Sequence, residues 1–159
     1  GWTGVGYGIQ VDQQTKDASL GAVVGLEGRY GRPGFLAAYD VASGKRIWQF
    51  DKIPAQGWEG DFVETTDDGI SLNRDVTAEK ATFAENKDAW RYGGASAWST
   101  PAIDTKTDTL YFGTGNPSPQ MNDISRPGDN LYSVSLVALE TETGKLKWYY
   151  QQVPHDLWG

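Results

Sequence analysis

AYDVASGKRIW (residues 38–48) and ALETETGKLKW (residues 138–148) are two copies of one pattern, A-x-[DE]-x-x-[ST]-G-x-x-x-W. In each copy an apolar run leads into Ser43-Gly44 or Thr143-Gly144, where glycine can take the positive φ that a tight reversal needs. A second run then closes on Trp48 or Trp148. Each copy therefore predicts a β-hairpin. A lone hairpin has nothing to bury its apolar face against, so a repeated one predicts a sheet array in which each copy packs on the next.

Outward from the repeat, short strand-like runs separated by Gly, Pro, Asp and Asn fall into two groups of four. The first group is residues 8–11, 21–26, 35–39 and 46–50; the second is 97–103, 110–113, 133–139 and 146–151. Four short strands per unit is the blade of a β-propeller, so the predicted fold is all-β, about two four-stranded blades. The organisation that follows is one blade over 1–50, an inter-blade excursion over 51–96, the next blade over 97–151, and the start of a further connection at 152–159. The excursion is polar, with a weakly helical AEKATFAENKDAW at 78–90. Connections of that length usually have structure or function of their own, which makes it a candidate wall for a site or a partner. Residues 117–130, with three Pro and Gly128, predict a smaller surface loop.

Seven Trp, eight Tyr and five Phe in 159 residues supply the bulky apolar surface of a β core. The chain opens at Gly1 without Met and stops at Gly159 just after an aromatic segment, which leads to the expectation of an internal piece of a longer protein. No run reaches the ~20 apolar residues of a membrane-spanning helix. With a net charge of −7, the chain lacks the basic surface that a phosphate backbone requires, which argues against nucleic acid as a partner. Cysteine is absent, excluding a thiolate metal site within this sequence. GVGYG at residues 4–8 precedes no helix that could hold a phosphate, and the acidic runs 64–68 and 140–142 fit solvated turns.

Three segments carry chemistry. GGASAWSTPAIDTKTDTLYFGTGNPSP, residues 93–119, places Trp98 on a strand and Asn116 in a Gly-Asn-Pro turn. Taken singly, Trp98 fits a core aromatic and Asn116 a left-handed turn residue; taken together inside the repeat, they favour a shared site. GLEGRYGRPGFLAAYD, residues 25–40, sets Glu27 among glycines, where a solvated carboxylate is the alternative. PHDLW, residues 154–158, holds the single histidine, His155. With no Ser or Cys partner indicated, His155 fits a structural hydrogen-bonding role.

These segments resemble those of the pyrroloquinoline quinone (PQQ) alcohol dehydrogenases, the methanol and ethanol dehydrogenase family. The eleven-residue repeat is similar to the tryptophan-docking motif of that family's eight-bladed propellers, in which the tryptophan wedges between adjacent blades. The resemblance implies that Trp98 stacks beneath the quinone, that Ser96 bonds the cofactor, and that Gly25 and Leu26 lie against it. It implies Glu27 and Asn116 as ligands of a calcium or lanthanide ion. Offset stacking on indole suits a planar fused-ring cofactor, and hard cations take carboxylate and amide oxygens. Two departures stand out: Glu27 lies two residues further from the AYD motif than in methanol dehydrogenases, and Val24 replaces a serine. The family's P-H-D-x-W-D ends on a general base, whereas this chain has Gly159 there, so the resemblance implies an aspartate base beyond Gly159 and no catalytic residue within the chain. It further implies oxidation of a primary alcohol in the periplasm, with a cytochrome c or a quinone as electron acceptor, by a protein of which these residues alone would be inactive. A scaffolding propeller without cofactor and a quinoprotein sugar dehydrogenase remain the alternatives.

Overall fold

The computed structural model describes residues 33–119 and 123–157. The candidate strands at 8–11 and 21–26, and the candidate site residues Gly25, Leu26 and Glu27, lie outside the described residues.

Strands β1 (Phe35–Tyr39) and β2 (Arg46–Asp51) form an antiparallel hairpin. Strands β3 (Ala102–Asp104), β4 (Thr109–Gly113), β5 (Ser135–Glu140) and β6 (Leu146–Gln151) form a four-stranded antiparallel meander in chain order. One helix, α1 (Val76–Asn86), and a 3-10 turn, Ala89–Tyr92, lie between the sheets in sequence.

The two repeat copies fold alike. Ala38 faces Trp48 and Ala138 faces Trp148, and in both hairpins the register slips immediately afterwards, leaving Ile47 or Lys147 as the extra residue of a bulge. The turns match bond for bond. Gly44 N–H donates to the Asp40 carbonyl at 2.8 Å and Gly144 N–H to that of Glu140 at 2.9 Å, with φ of 68° and 69°. The Ser43 and Thr143 hydroxyls donate to the Asp40 and Glu140 carboxylates. Positive φ at both turns explains the invariant glycine of the pattern.

Gly144 has a second reason to be glycine. The Trp48 indole lies against it so closely that an added Cβ would fall 2.5 Å from the ring. The same indole donates from Nε1 to the Thr141 carbonyl at 2.9 Å. The tryptophan of one sheet thus docks flat on the turn of the next. Beneath it Phe112, Val137 and Leu139 form a buried core that Leu36, Trp48 and Phe50 cover from the first sheet. Phe50 meets Phe112 edge-on, with centroids 6.2 Å apart.

Several expected boundaries move. Strand 97–103 is reduced to Ala102–Asp104, because Pro101 has no N–H to give a ladder. Strand 133–139 starts at Ser135, after Val134 takes a φ of 45° that breaks extended geometry. The weakly helical stretch expected at 78–90 folds as α1, shifted to Val76–Asn86. Its Ala, Glu and Lys residues favour helix, and Asp75 caps α1 by accepting from Ala78 N–H at 2.9 Å. The excursion also has its own core, with Ile53, Trp58 and Ala95 buried under Phe83, Ala89 and Trp90. The loop 117–130, expected on the surface, buries Arg126, Asp129 and Asn130.

That burial is possible because the excursion and the loop satisfy each other's charges. The Asp129 carboxylate accepts from Asp61 N–H and Val63 N–H, both at 2.9 Å, and from Arg74 Nη1 at 2.5 Å. Arg74 also makes a forked pair with Glu79, at 2.9 and 2.7 Å. Glu79 in turn accepts from Gly128 N–H at 2.8 Å. The loop is therefore anchored to the excursion by paired charges, and it carries this anchorage towards residues 152–157.

Truncating Trp48 to Ala should lower unfolding free energy by about 3–5 kcal/mol in chemical denaturation, the usual cost of deleting a packed large aromatic. A loss below about 1 kcal/mol would show that the two sheets do not depend on this contact.

Candidate functional site

The hairpin that makes β3 and β4 continues past the sheet as an irregular ladder. Gly115 N–H donates to the Ser96 carbonyl at 2.7 Å, Ala95 N–H to the Asn116 carbonyl at 2.9 Å, and Ser118 N–H to the Gly93 carbonyl at 3.0 Å. Residues 93–96 therefore run alongside 115–118. Gly94, with φ of 79°, passes so near the Asn116 carbonyl that a Cβ would fall 2.7 Å from it.

This ladder gathers three of the sequence-predicted residues. The Trp98 indole rests on Gly115, where a Cβ would lie 2.6 Å from Nε1. Asn116 is the next residue, and Ser96 is paired through its carbonyl to Gly115 itself. Ser96 is buried, whereas Trp98 is 58 % exposed. An indole that lies against a glycine backbone and keeps more than half of its residue surface exposed can serve as a platform. A buried tryptophan of the core would not look like this.

Behind Asn116 stands a residue that carries no role in the sequence reading. Asn116 Nδ2 donates to Asp156 Oδ2 at 2.8 Å, and Asp156 is only 6 % exposed. Arg126 fixes the arrangement: its Nη2 donates to the Asp156 carbonyl at 2.6 Å, its Nε to the Pro119 carbonyl at 2.7 Å, and its Nη1 to Asn130 Oδ1 at 2.5 Å. Burial pushes the Arg126 guanidinium down to about 10, against the pull of Asp123 and Asp156, so it stays charged at neutral pH. His155 is buried next to Asp156, its Nδ1 2.6 Å from the Gly128 carbonyl and its Nε2 2.9 Å from Asp123. It ties the loop to the 152–157 segment.

A cavity of about 460 Å³ separates the start of α1 from residues 123–127 and 153–157. Asp156 lines it, but Ser96, Trp98 and Asn116 do not, so the open indole face looks elsewhere. Lys52 lies behind the strand that carries Ser96. The Cβ that Gly34 lacks would meet both the Ala95 carbonyl, at 2.5 Å, and Lys52 Cε, at 2.8 Å. Lys52 is fully buried and its Nζ has no hydrogen-bond partner among the described residues. Burial lowers its pKa to about 8.

The donor set suits a hard cation beside a flat cofactor. Asn116 carries an amide oxygen, a donor type that hard cations take, and an indole is a surface on which a planar cofactor can stack. Among the described residues no three acidic, His or Cys side chains form a metal cage, so Asn116 could be only one of several ligands.

Comparison with known proteins gives the class. Residues 20–159 match the PQQ family described as the glucose/ethanol/alcohol dehydrogenase β-propeller domain. The chain is 36 % identical over 137 residues to methanol dehydrogenase [cytochrome c] subunit 1 of Methylorubrum extorquens, covering 86 % of this chain and 21 % of that one. It resembles the structure of the quinohemoprotein alcohol dehydrogenase of Comamonas testosteroni with a TM-score of 0.57 and 31 % identity, over 82 % of this chain and 18 % of the other. A europium-containing methanol dehydrogenase follows with a TM-score of 0.53 and 28 % identity, over 82 % and 22 %. The chain belongs to the PQQ-dependent alcohol dehydrogenase family and is part of its β-propeller domain. It spans about a fifth of the length of the relatives it matches.

The buried Lys52 amine gives a pH signature. Its folded pKa of about 8 lies below the unfolded value, so from about pH 8 to 10 the unfolded chain binds more protons and stability should rise with pH. Above that window Tyr132 and Tyr149, whose pKa values burial raises, act in the opposite sense. Denaturant titrations at stepped pH should show the rise in the parent protein. In Lys52→Met it should vanish, with a gain at pH 7 on the order of 1–3 kcal/mol. Loss of stability in Lys52→Met would mean that the amine has a partner.

Proposed function

We propose that this chain provides the cofactor platform and part of the metal site of a quinoprotein that oxidises a primary alcohol to the aldehyde. The observation that carries the reading is the convergence of Ser96, Trp98 and Asn116 around Gly115. A cofactor-free scaffolding propeller has no use for an indole that a glycine holds against the backbone with more than half its surface exposed.

The chain's own groups do the following. Trp98 offers the face on which the PQQ ring stacks, and the buried Ser96, two residues before it, is the polar contact beside it. Asn116 gives its amide oxygen to calcium or a lanthanide. Glu27, Gly25 and Leu26 stay proposed as ligand and cofactor contacts on the strength of the family resemblance. When bound, the quinone takes up the hydride equivalent and the cation acts as Lewis acid. No described residue is assigned the general base; an aspartate later in the protein is proposed for that role. The docked sheets hold the platform and the ligand in a fixed mutual position, which is what orientation-dependent catalysis requires. Trp148, 44 % exposed, is proposed to dock on a following blade of an eight-bladed ring as Trp48 docks on its own neighbour.

Oxidation in the periplasm with transfer to a cytochrome c or a quinone is proposed from the relatives, one of which carries cytochrome c in its name. Among the described residues no helix is long and apolar enough to cross a membrane.

The test uses the intact protein, stripped of metal and cofactor and then reconstituted. Primary-alcohol-dependent dye reduction should require both PQQ and a calcium or lanthanide ion. Trp98→Ala should weaken PQQ binding, measured by fluorescence quenching. Asn116→Ala should lower activity most at limiting metal. Activity indifferent to both additions would overturn the reading.

A further inference from the structure

We propose that Asp156 is a positioning residue that sets which end of the Asn116 amide faces the cation, and through it the metal affinity of the site. The proposal rests on the reading of Asn116 as a metal ligand.

An asparagine amide has two chemically opposite ends of nearly the same shape. Only the oxygen can bind a cation, and the NH₂ group turned towards it would be repulsive. A half-turn about the terminal bond interchanges them, so an exposed asparagine spends part of its time wrongly oriented. Here the choice is made by chemistry. Asp156 Oδ2 lies 2.8 Å from Asn116 Nδ2, and a carboxylate can only accept. The reversed amide would set an oxygen against an oxygen. With the nitrogen committed to Asp156, Oδ1 is held at the other end of the planar amide, turned away from the carboxylate.

Asp156 can impose this because it is itself immobilised. It is 6 % exposed, and the buried Arg126 grips its carbonyl at 2.6 Å. The same guanidinium grips the carbonyl of Pro119, three residues after Asn116, at 2.7 Å. One planar group therefore fixes the separation of the two segments that carry the carboxylate and the amide. Next to Asp156, His155 N–H donates to the Asp129 carbonyl at 3.1 Å, which ties this segment into the Asp129–Arg74–Glu79 network. Outer partners of this kind commonly control metal affinity about 10–100-fold.

The experiment measures metal affinity rather than turnover. The intact protein, freed of metal, is titrated with calcium by calorimetry and with terbium by sensitised luminescence. Asn116→Ala should weaken binding. Asp156→Ala and the near-isosteric Asp156→Leu should each weaken it about tenfold or more. Asp156→Asn can still accept from Asn116 and should restore most of the affinity, whether or not the Ala and Leu variants fold. The double variant Asn116→Ala/Asp156→Ala should bind no more weakly than Asn116→Ala alone, since Asp156 acts through the amide.

Normal affinity in a folded Asp156→Leu, or independent losses that multiply in the double variant, would overturn the proposal. Failure of Asp156→Asn to rescue would do the same, because charge rather than orientation would then be the cause. An Asn116→Ala protein with unchanged affinity would instead overturn the ligand reading, and the positioning role with it.

Discussion

Trp48 on Gly144 is the contact on which the rest depends. A flat indole donating to the Thr141 carbonyl can lie on that turn only because the residue below it has no side chain. The contact sets the distance between the two sheets and closes the core of Phe112, Val137 and Leu139. That core steadies β4, whose continuation holds Gly115 and Asn116, and the platform for Trp98 follows from the same strand. A packing event between two hairpins is thereby transmitted into the geometry of a polar site without any residue common to both.

The second constraint is electrostatic and works from the opposite side. Arg74, Glu79 and Asp129 are withdrawn from water together, at a desolvation cost that only complete pairing offsets. Burial alone would lower the Arg74 pKa, but its bonds to Glu79 and Asp129 outweigh that and raise it. Glu79 is held low because Arg74 and Gly128 N–H outweigh its own burial. Such a network adds little net stability compared with apolar packing. Its effect is one of position: the excursion, the 123–130 loop and the 152–157 segment have one mutual arrangement in which Arg74, Glu79 and Asp129 are paired, and Asp156 stands at the end of it.

The repeat was legible because its determinants are local: a turn glycine, an acceptor four residues before it, a tryptophan four after. Register, bulge and turn bonding of the two hairpins agree with that pattern, down to the facing pairs Ala38–Trp48 and Ala138–Trp148. Proximity of Ser96, Trp98 and Asn116 was legible for the same reason, since a short hairpin brings them together. Burial of the 117–130 loop was not. Arg126 and Asp129 look solvent-seeking in sequence, and the groups that neutralise Asp129 lie 55 to 68 positions away. The role of Asp156 was hidden likewise, 40 positions from the amide it faces. The one available sign was its place in PHDLW, which the resemblance singled out without assigning the aspartate a task. Lys52 gave no sign at all, since nothing in DKIP marks an amine that will be enclosed by Gly34 and Ala95.

The central claim is that one cation and one planar cofactor meet at Asn116 and Trp98. Anomalous diffraction from crystals of the intact protein loaded with PQQ and a lanthanide measures this directly. The account predicts an anomalous peak about 2.3–2.6 Å from Asn116 Oδ1, with the quinone ring against the open face of Trp98. A peak more than about 4 Å from Asn116, or a quinone stacked on another side chain, would contradict it.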